Sequence, residues 1–269
     1  MIDRVLTRQE RIALELRSLY LRNGFKYFRM PSFEEYDFYA DKKEFLSTKE
    51  ILTFTDADGR LMALRPDVTL SLIKHSSAGK YYYSENVFRV SDNEKSFREV
   101  PQSGIEIIGD ITSSELLCVI RLALQALQTV SPGRDFILTL ADANQVLQHS
   151  DGINQSQLIE CLSHKNIHGL KELNAPRKLI ELAELDGEIS NSWPSLSPEI
   201  SEILMRLADD HGHIRVDFSA VENVKYYSGI VFKGYIDGVS NAVLSGGEYD
   251  IMSTKGAGFA VYLERICDD

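Results

Sequence analysis

The order of elements along the sequence predicts an α+β fold built on a mixed, mainly antiparallel sheet flanked by helices. Three observations carry this. Two β-hairpins come early, a block of short amphipathic helices occupies about residues 144 to 210, and strands then resume before a terminal helix. Tight turns join antiparallel strands, whereas a doubly wound parallel sheet alternates strand and helix throughout. The expected organisation is one domain over residues 1–269 with a mainly helical insertion at about 144–210.

Each element has a local cause. Thr7 and Glu10 have capping-box spacing, ahead of a helix whose apolar side reads as Ile12, Leu14, Leu16, Leu19 and Leu21 and whose stop is Gly24. The aromatic-rich run from Phe25 to Tyr39 reads as extended, broken at Pro31. Residues 51–56 and 60–64 flank Ala57, Asp58 and Gly59, a hairpin signal, and Pro66 ends the second arm. Asp67 then sits at a strand end, where it can serve a site or simply cap the next helix; sequence favours neither. Thr112 and Glu115 form a second capping box before a strongly apolar helix that ends ahead of Pro132. Strands are expected at Phe136–Leu140, Ile214–Phe218, Gly229–Tyr235 and near Ala242–Leu244. The glycine-containing stretches GGEYD and GAG read as turns, and a final helix is expected over FAVYLERICDD.

Composition narrows the function. With 43% hydrophobic and 26% charged residues, the chain has the make-up of an ordinary globular protein, and its net charge of -11 argues against broad nucleic-acid or anionic-membrane binding. Without an apolar run of spanning length or a leading apolar core, a cytoplasmic location is expected. Cys118, Cys161 and Cys267 are widely spaced and odd in number, which suits reduced thiols. The pairs His164/His168 and His211/His213 have ligand-like spacing but lack partner ligands, so no metal is expected. GGEYD is not followed by GK[ST], and GAGFAV lacks the third glycine of a dinucleotide loop, so no cofactor is expected either.

The hairpin from Tyr81 to Asp110 is the informative stretch. On its return strand Gln102, Gly104 and Glu106 share one face and Ile105 and Ile107 the other, with Arg89 contributed by the first strand. A solvated sheet face is the simpler reading of these residues alone. The other reading is a small zwitterion, with guanidinium for its carboxylate and carboxylate and amide for its ammonium.

Five ordered stretches, LTFTDADGRLMALRPDVT, VFR…FREVPQSGIEIIG, KYYSGIVF, SGGEYD and GAGFAVYLERI, resemble the catalytic domain of histidyl-tRNA synthetase, a class II aminoacyl-tRNA synthetase. The likeness covers nearly the whole chain and includes the three class II motifs, around Pro31, around Arg89 and ending in Glu264 and Arg265. It implies a histidine pocket. Asp67 would hold the α-amino group, Arg89 the carboxylate, and Gln102 and Glu106 the histidine side, with Thr69 also among the histidine-binding residues. Tyr227 and Tyr249 would close on the imidazole, with Tyr226 beside them. It also implies a homodimer through motif 1; whether Phe33, Tyr36, Phe38 and Tyr39 pack there or in the core stays open.

The departures carry as much weight. Glu222 stands where the synthetase has an arginine that helps activate histidine, and a glutamate there would repel the carboxylate and α-phosphate. Ser91 replaces an acidic residue used near the adenine, and the sequence ends four residues after Arg265, so no anticodon-binding domain and no tRNA are expected. Arg265 is kept, as a structural ion-pair partner or a remnant nucleotide contact. This pattern resembles the synthetase-like regulatory subunits of short-form ATP phosphoribosyltransferase, which act in histidine biosynthesis. The resemblance implies no catalytic residues of its own, a hetero-oligomer with the catalytic subunit that needs it for activity, and a part in feedback inhibition by histidine. Two alternatives stand beside it. One is a free-standing histidine-activating ligase or truncated synthetase, which would need Arg215, Lys225 or Lys233 to replace the missing arginine. The other is a synthetase-like shell that holds a different partner and no ligand.

Overall fold

Helix α1 (Arg8–Arg22) begins where the capping-box spacing places it. The Thr7 hydroxyl accepts from the Glu10 backbone at 3.2 Å, while the Glu10 carboxylate accepts from the Thr7 backbone at 2.8 Å. Asn23 ends it, and Gly24 takes a φ of 81°, the left-handed region where a side chain is strained. Its buried stripe is Ile12, Leu16, Leu19 and Tyr20. Leu14 and Leu21 are exposed, against expectation. At 100° per residue they fall off the arc that the other four share, so apolar character alone misplaced them.

In this computed structural model the described residues are 5–41, 46, 51–90, 96–185, 187–222 and 226–267; Ser91 and Lys225, weighed above, lie outside them. The chain divides into two units, residues 1–110 with 260–269, and residues 111–259. In the first, β1 (Lys26–Tyr27) pairs parallel to β5 (Gly79–Val90), which pairs antiparallel to β6 (Phe97–Ile108) over its full length. A second sheet has the order β2 (Phe33–Glu35), β4 (Leu61–Leu64), β3 (Thr53–Thr55), all antiparallel. The turn between β3 and β4 is closed by Asp56, whose carboxylate accepts from the backbones of Asp58 and Arg60, with Gly59 at a φ of 81°. Residues 36–40 form the short helix α2 (Tyr36–Ala40) rather than continuing extended. Of the aromatic cluster, Tyr39 is fully buried and Phe33 exposed, with Tyr36 and Phe38 between. Helix α3 (Val68–His75) follows, capped by Asp67.

The second unit starts with α4 (Ser113–Val130), opened by the Thr112 capping box. Its sheet runs in the order β11 (Thr254–Tyr262), β10 (Leu244–Ile251), β9 (Tyr227–Ile236), β7 (Phe136–Asp142), β8 (Ile214–Val216); β7 and β8 are parallel, and β9 is antiparallel to both its neighbours. Between β7 and β8 lie α5 (Ala143–Leu147), α6 (Gln155–Ser163), α7 (Ile167–Glu172), α8 (Arg177–Ala183), α9 (Ile189–Ser192) and α10 (Pro198–Arg206). The α+β class with a mixed, mainly antiparallel arrangement holds in each unit. Among the described residues no helix is long and apolar enough to cross a membrane.

The C-terminal region departs from expectation. GGEYD and GAG are not turns; they lie inside β10 and β11, joined at Met252 and Ser253, both in the left-handed region. The glycines answer a packing need: a Cβ on Gly256 would collide with the Tyr249 ring, and one on Gly246 with the Gly258 carbonyl. The terminal helix is correspondingly short. Phe259 to Tyr262 are strand, and only α11 (Glu264–Cys267) is helical.

Candidate functional site

The long hairpin sets the register of the polar residues in the first unit. Arg89 stands opposite Arg98, Glu85 opposite Gln102, Tyr83 opposite Gly104 and Tyr81 opposite Glu106. Directly opposed residues share a sheet face, so Arg89, Gln102 and Glu106 lie on one side. That face is not solvated, which corrects the simpler reading of the sequence. Gln102 is 7% exposed and Glu106 3%. Burying a carboxylate is costly unless it is partnered, and Glu106 accepts a 2.7 Å hydrogen bond from the Thr69 hydroxyl. Tyr83, also buried on this face, has its pKa pushed well up, first by burial and then by the Glu106 charge.

Thr69 reaches Glu106 because it sits in the first turn of α3, and Asp67 caps that same turn. Asp67 Oδ1 accepts from the Leu70 backbone at 2.8 Å. Both readings of Asp67 therefore hold geometrically: it is a cap, and it also faces charge. Burial raises its pKa above the usual aspartate value, and the donors of Leu70 and Thr69 and the Arg89 guanidinium only partly offset this. Arg89 Nε lies 3.4 Å from the Pro66 carbonyl, next to Asp67 in sequence. Asp67, Thr69, Arg89 and Glu106 thus form one connected group, with Gln102 on the same sheet face. An acceptor pair and a guanidinium at such close quarters suit a small zwitterion.

Two further residues of this unit escaped sequence reading. Arg65, 1% exposed, donates to the Pro31 carbonyl at 2.8 Å, to the Asn86 carbonyl at 2.7 Å and to Glu85 at 3.1 Å. It clamps the chain just ahead of Asp67 onto β5. Glu34, also buried, accepts from the hydroxyl of Ser71 and lies 3.3 Å from Lys74 Nζ and 3.5 Å from His75 Nε2. The only local signal was an arginine placed before Pro66 and an acid on a short strand; the partners are distant in sequence. Arg265, whose role was open, packs over the Tyr262 ring at 4.2 Å.

In the second unit, Tyr227 and Tyr249 are cross-strand partners. Tyr226 meets Tyr227 edge-on at 4.9 Å and Tyr249 at 6.3 Å, so the three expected tyrosines form one aromatic group. Tyr249 is buried over Gly256. Beside them Glu248 accepts from the Ile230 backbone at 2.9 Å, and burial raises its pKa. Glu222 is not a bare anion. Its carboxylate is paired with Lys233 Nζ, a side chain 11% exposed against 67% for Glu222. Arg215 pairs with Glu188 at 3.4 Å. Two of the three cations that could have replaced the missing arginine are therefore engaged in ion pairs. Among the described residues no group of three or more His, Cys, Asp or Glu could hold a metal. His168 instead pairs with Glu172, and His213 stacks on Phe136.

Comparison with known proteins places the fold and the family. The family model for histidyl-tRNA synthetase matches residues 3–266. An ATP phosphoribosyltransferase regulatory subunit of Bacillus anthracis is 28% identical over 277 residues, covering 90% of this chain and 66% of the relative, so the chain spans a little under two thirds of that relative's length. Among solved structures, an ATP phosphoribosyltransferase regulatory subunit/histidyl-tRNA synthetase from Bacillus halodurans C superposes with a TM-score of 0.79 at 23% identity, covering 97% of this chain and 78% of that one. A chain of the ATP phosphoribosyl transferase (HisG:HisZ) complex from Thermotoga maritima superposes with a TM-score of 0.78 at 18% identity, covering 94% of this chain and 96% of that one. At these identities the structural likenesses establish the class II aminoacyl-tRNA synthetase-like fold.

Proposed function

From the premise that the chain belongs to the histidyl-tRNA synthetase family, we propose that it is a non-catalytic regulatory subunit of a short-form ATP phosphoribosyltransferase, binding histidine without activating it. One observation carries the reading. Where the resemblance puts the activating arginine there is Glu222, and the nearby buried cation that could have compensated, Lys233, is neutralised by it. A developing negative charge at an α-phosphate would find no free positive partner in this pair, and stabilising that charge is the larger part of acyl-adenylate chemistry.

Amino-acid recognition does not need that arginine. Asp67 and Thr69 are assigned to the α-amino group, Arg89 to the carboxylate, and Gln102 and Glu106 to the histidine side; the buried, connected arrangement of these residues supports the assignment. The tyrosines of the second unit are assigned to the ring by the resemblance alone. A pocket that binds an amino acid and does no chemistry on it is a sensor. Histidine then shifts the hetero-oligomer between states only by as much as its affinity differs between them. Under this reading the catalytic partner depends on this subunit for activity, histidine inhibits through it, and the subunit dimerises through the motif 1 segment around Pro31.

The test is a pair of assays on the full chain. ATP–pyrophosphate exchange with histidine is expected to be absent, and calorimetry is expected to give saturable histidine binding, with or without a short phosphoribosyltransferase subunit present. Robust exchange would show a ligase instead. Co-purification with a short catalytic subunit, and loss of its activity on removal of this chain, checks the partnership.

A further inference from the structure

The buried carboxylate of Glu34 is tied to one helix at three points. Ser71 donates its hydroxyl to it, Lys74 Nζ lies 3.3 Å away and His75 Nε2 3.5 Å away. Ser71, Lys74 and His75 are spaced at i, i+3 and i+4, so they occupy one stripe of α3, and Asp67, four residues before Ser71, begins the same stripe. Thr69 points off it, toward Glu106. Lys74 Nζ also lies over the Phe38 ring, 4.7 Å from its centre. The fully buried Tyr39 hydroxyl lies within electrostatic reach of both Glu34 and Asp67. The helix that presents Asp67 and Thr69 is therefore fixed in rotation by a carboxylate on β2, a separate strand of the small sheet.

We infer that Glu34 is a positioning residue for the amino-group end of the site, setting the aim of the Asp67 carboxylate through Ser71, Lys74 and His75. This rests on the proposal that the site takes histidine. Without Glu34 the eight-residue helix would keep only the Thr69–Glu106 tether on its other side and could rotate slightly about it, and a shift of about 1 Å at a charged contact is enough to lose most of its benefit.

The measurement is calorimetry on the full chain with two ligands, histidine and its des-amino analogue 3-(imidazol-4-yl)propanoate, which lacks the group assigned to Asp67. In the native protein histidine is expected to bind about tenfold or more tighter than the analogue, the margin of one charge-assisted hydrogen bond. In Glu34→Gln that ratio is expected to fall to about threefold or less, with the analogue's own affinity unchanged. Equal weakening of both ligands, or an unchanged ratio, overturns the inference, because a merely structural role would act on both alike. If Glu34→Gln does not fold, Ser71→Ala removes one tether with little change in volume, and the same fall in ratio is expected; an unchanged ratio there overturns it as well. Native protein that binds neither ligand defeats the histidine reading and this inference with it, whereas native binding with an unaltered variant ratio defeats this inference alone.

Discussion

Arg60 and Arg65 bracket a single strand, β4, and carry the same charge, yet they do opposite work. Arg60 is 60% exposed and reaches Asp56 and Asp58 across its own turn. Arg65 is 1% exposed and ties together three segments that are far apart in sequence. The exposed pair keeps water as a ready substitute partner, while the buried guanidinium has only the protein. The lesson extends to other charges of the protein: those that gave up solvent are answered by something specific. Glu106 is answered by Thr69 and Glu34 by Ser71, Lys74 and His75; Lys233 is answered by a half-free Glu222.

Substitutions along this gradient break or sharpen the comparison. Arg65→Ala is expected to destabilise by about 3–5 kcal/mol in denaturant unfolding, since it takes the guanidinium from Glu85 and from two carbonyls; a loss below about 1 kcal/mol would put Arg65 in the same class as Arg60. Glu106→Ala or Arg89→Ala should cost about 2–4 kcal/mol of histidine affinity by calorimetry while the fold survives, and unchanged affinity would move the ligand elsewhere. For the intermediate pair, Glu222→Gln should cost up to about 1 kcal/mol of stability, and the swapped Glu222→Lys/Lys233→Glu protein should regain most of it. Arg60→Ala should leave the melting temperature within error.

Asp67 tests the same idea through pH. Its pKa is raised in the folded state, so its contribution to stability is present at low pH and is lost as pH rises through that raised value. Asparagine caps a helix about as well as aspartate and carries no charge to bury. Asp67→Asn should therefore melt slightly higher than native protein at neutral pH, and this advantage should vanish near about pH 3.5, below the ordinary aspartate value. The same variant should bind histidine poorly. Equal melting curves at both pH values would mean that the Asp67 pKa is not raised in the folded state.

Much of this was legible in the sequence where the cause is local. Both capping boxes, the Asp56–Arg60 turn and the Asp67 cap depend on residues within four positions of each other, and they fold as read. Face assignment within β6 followed from a period of two. What was not legible is what lies across the fold. Glu34 meets Ser71 at a separation of 37 residues, and Glu222 finds Lys233 on β9; nothing in either neighbourhood announces the partner. The glycines of β10 and β11 misled for a related reason, since a glycine demanded by close packing looks the same in sequence as one demanded by a turn. For α1, a list of apolar residues was too coarse to separate Leu14 and Leu21 from the buried stripe.

The pairing of Glu222 with Lys233 also bears on which sequences lie within reach of this one. Arginine restored at position 222 alone would set a second cation against a lysine that is largely out of water, and glutamate introduced at 233 alone would set two anions together. Each single step is disfavoured, although the two together are tolerable. The easier routes from this pair to an arginine at 222 pass through a protein in which position 233 has first lost its charge, so the ion pair acts as a ratchet on the order in which the two positions can change.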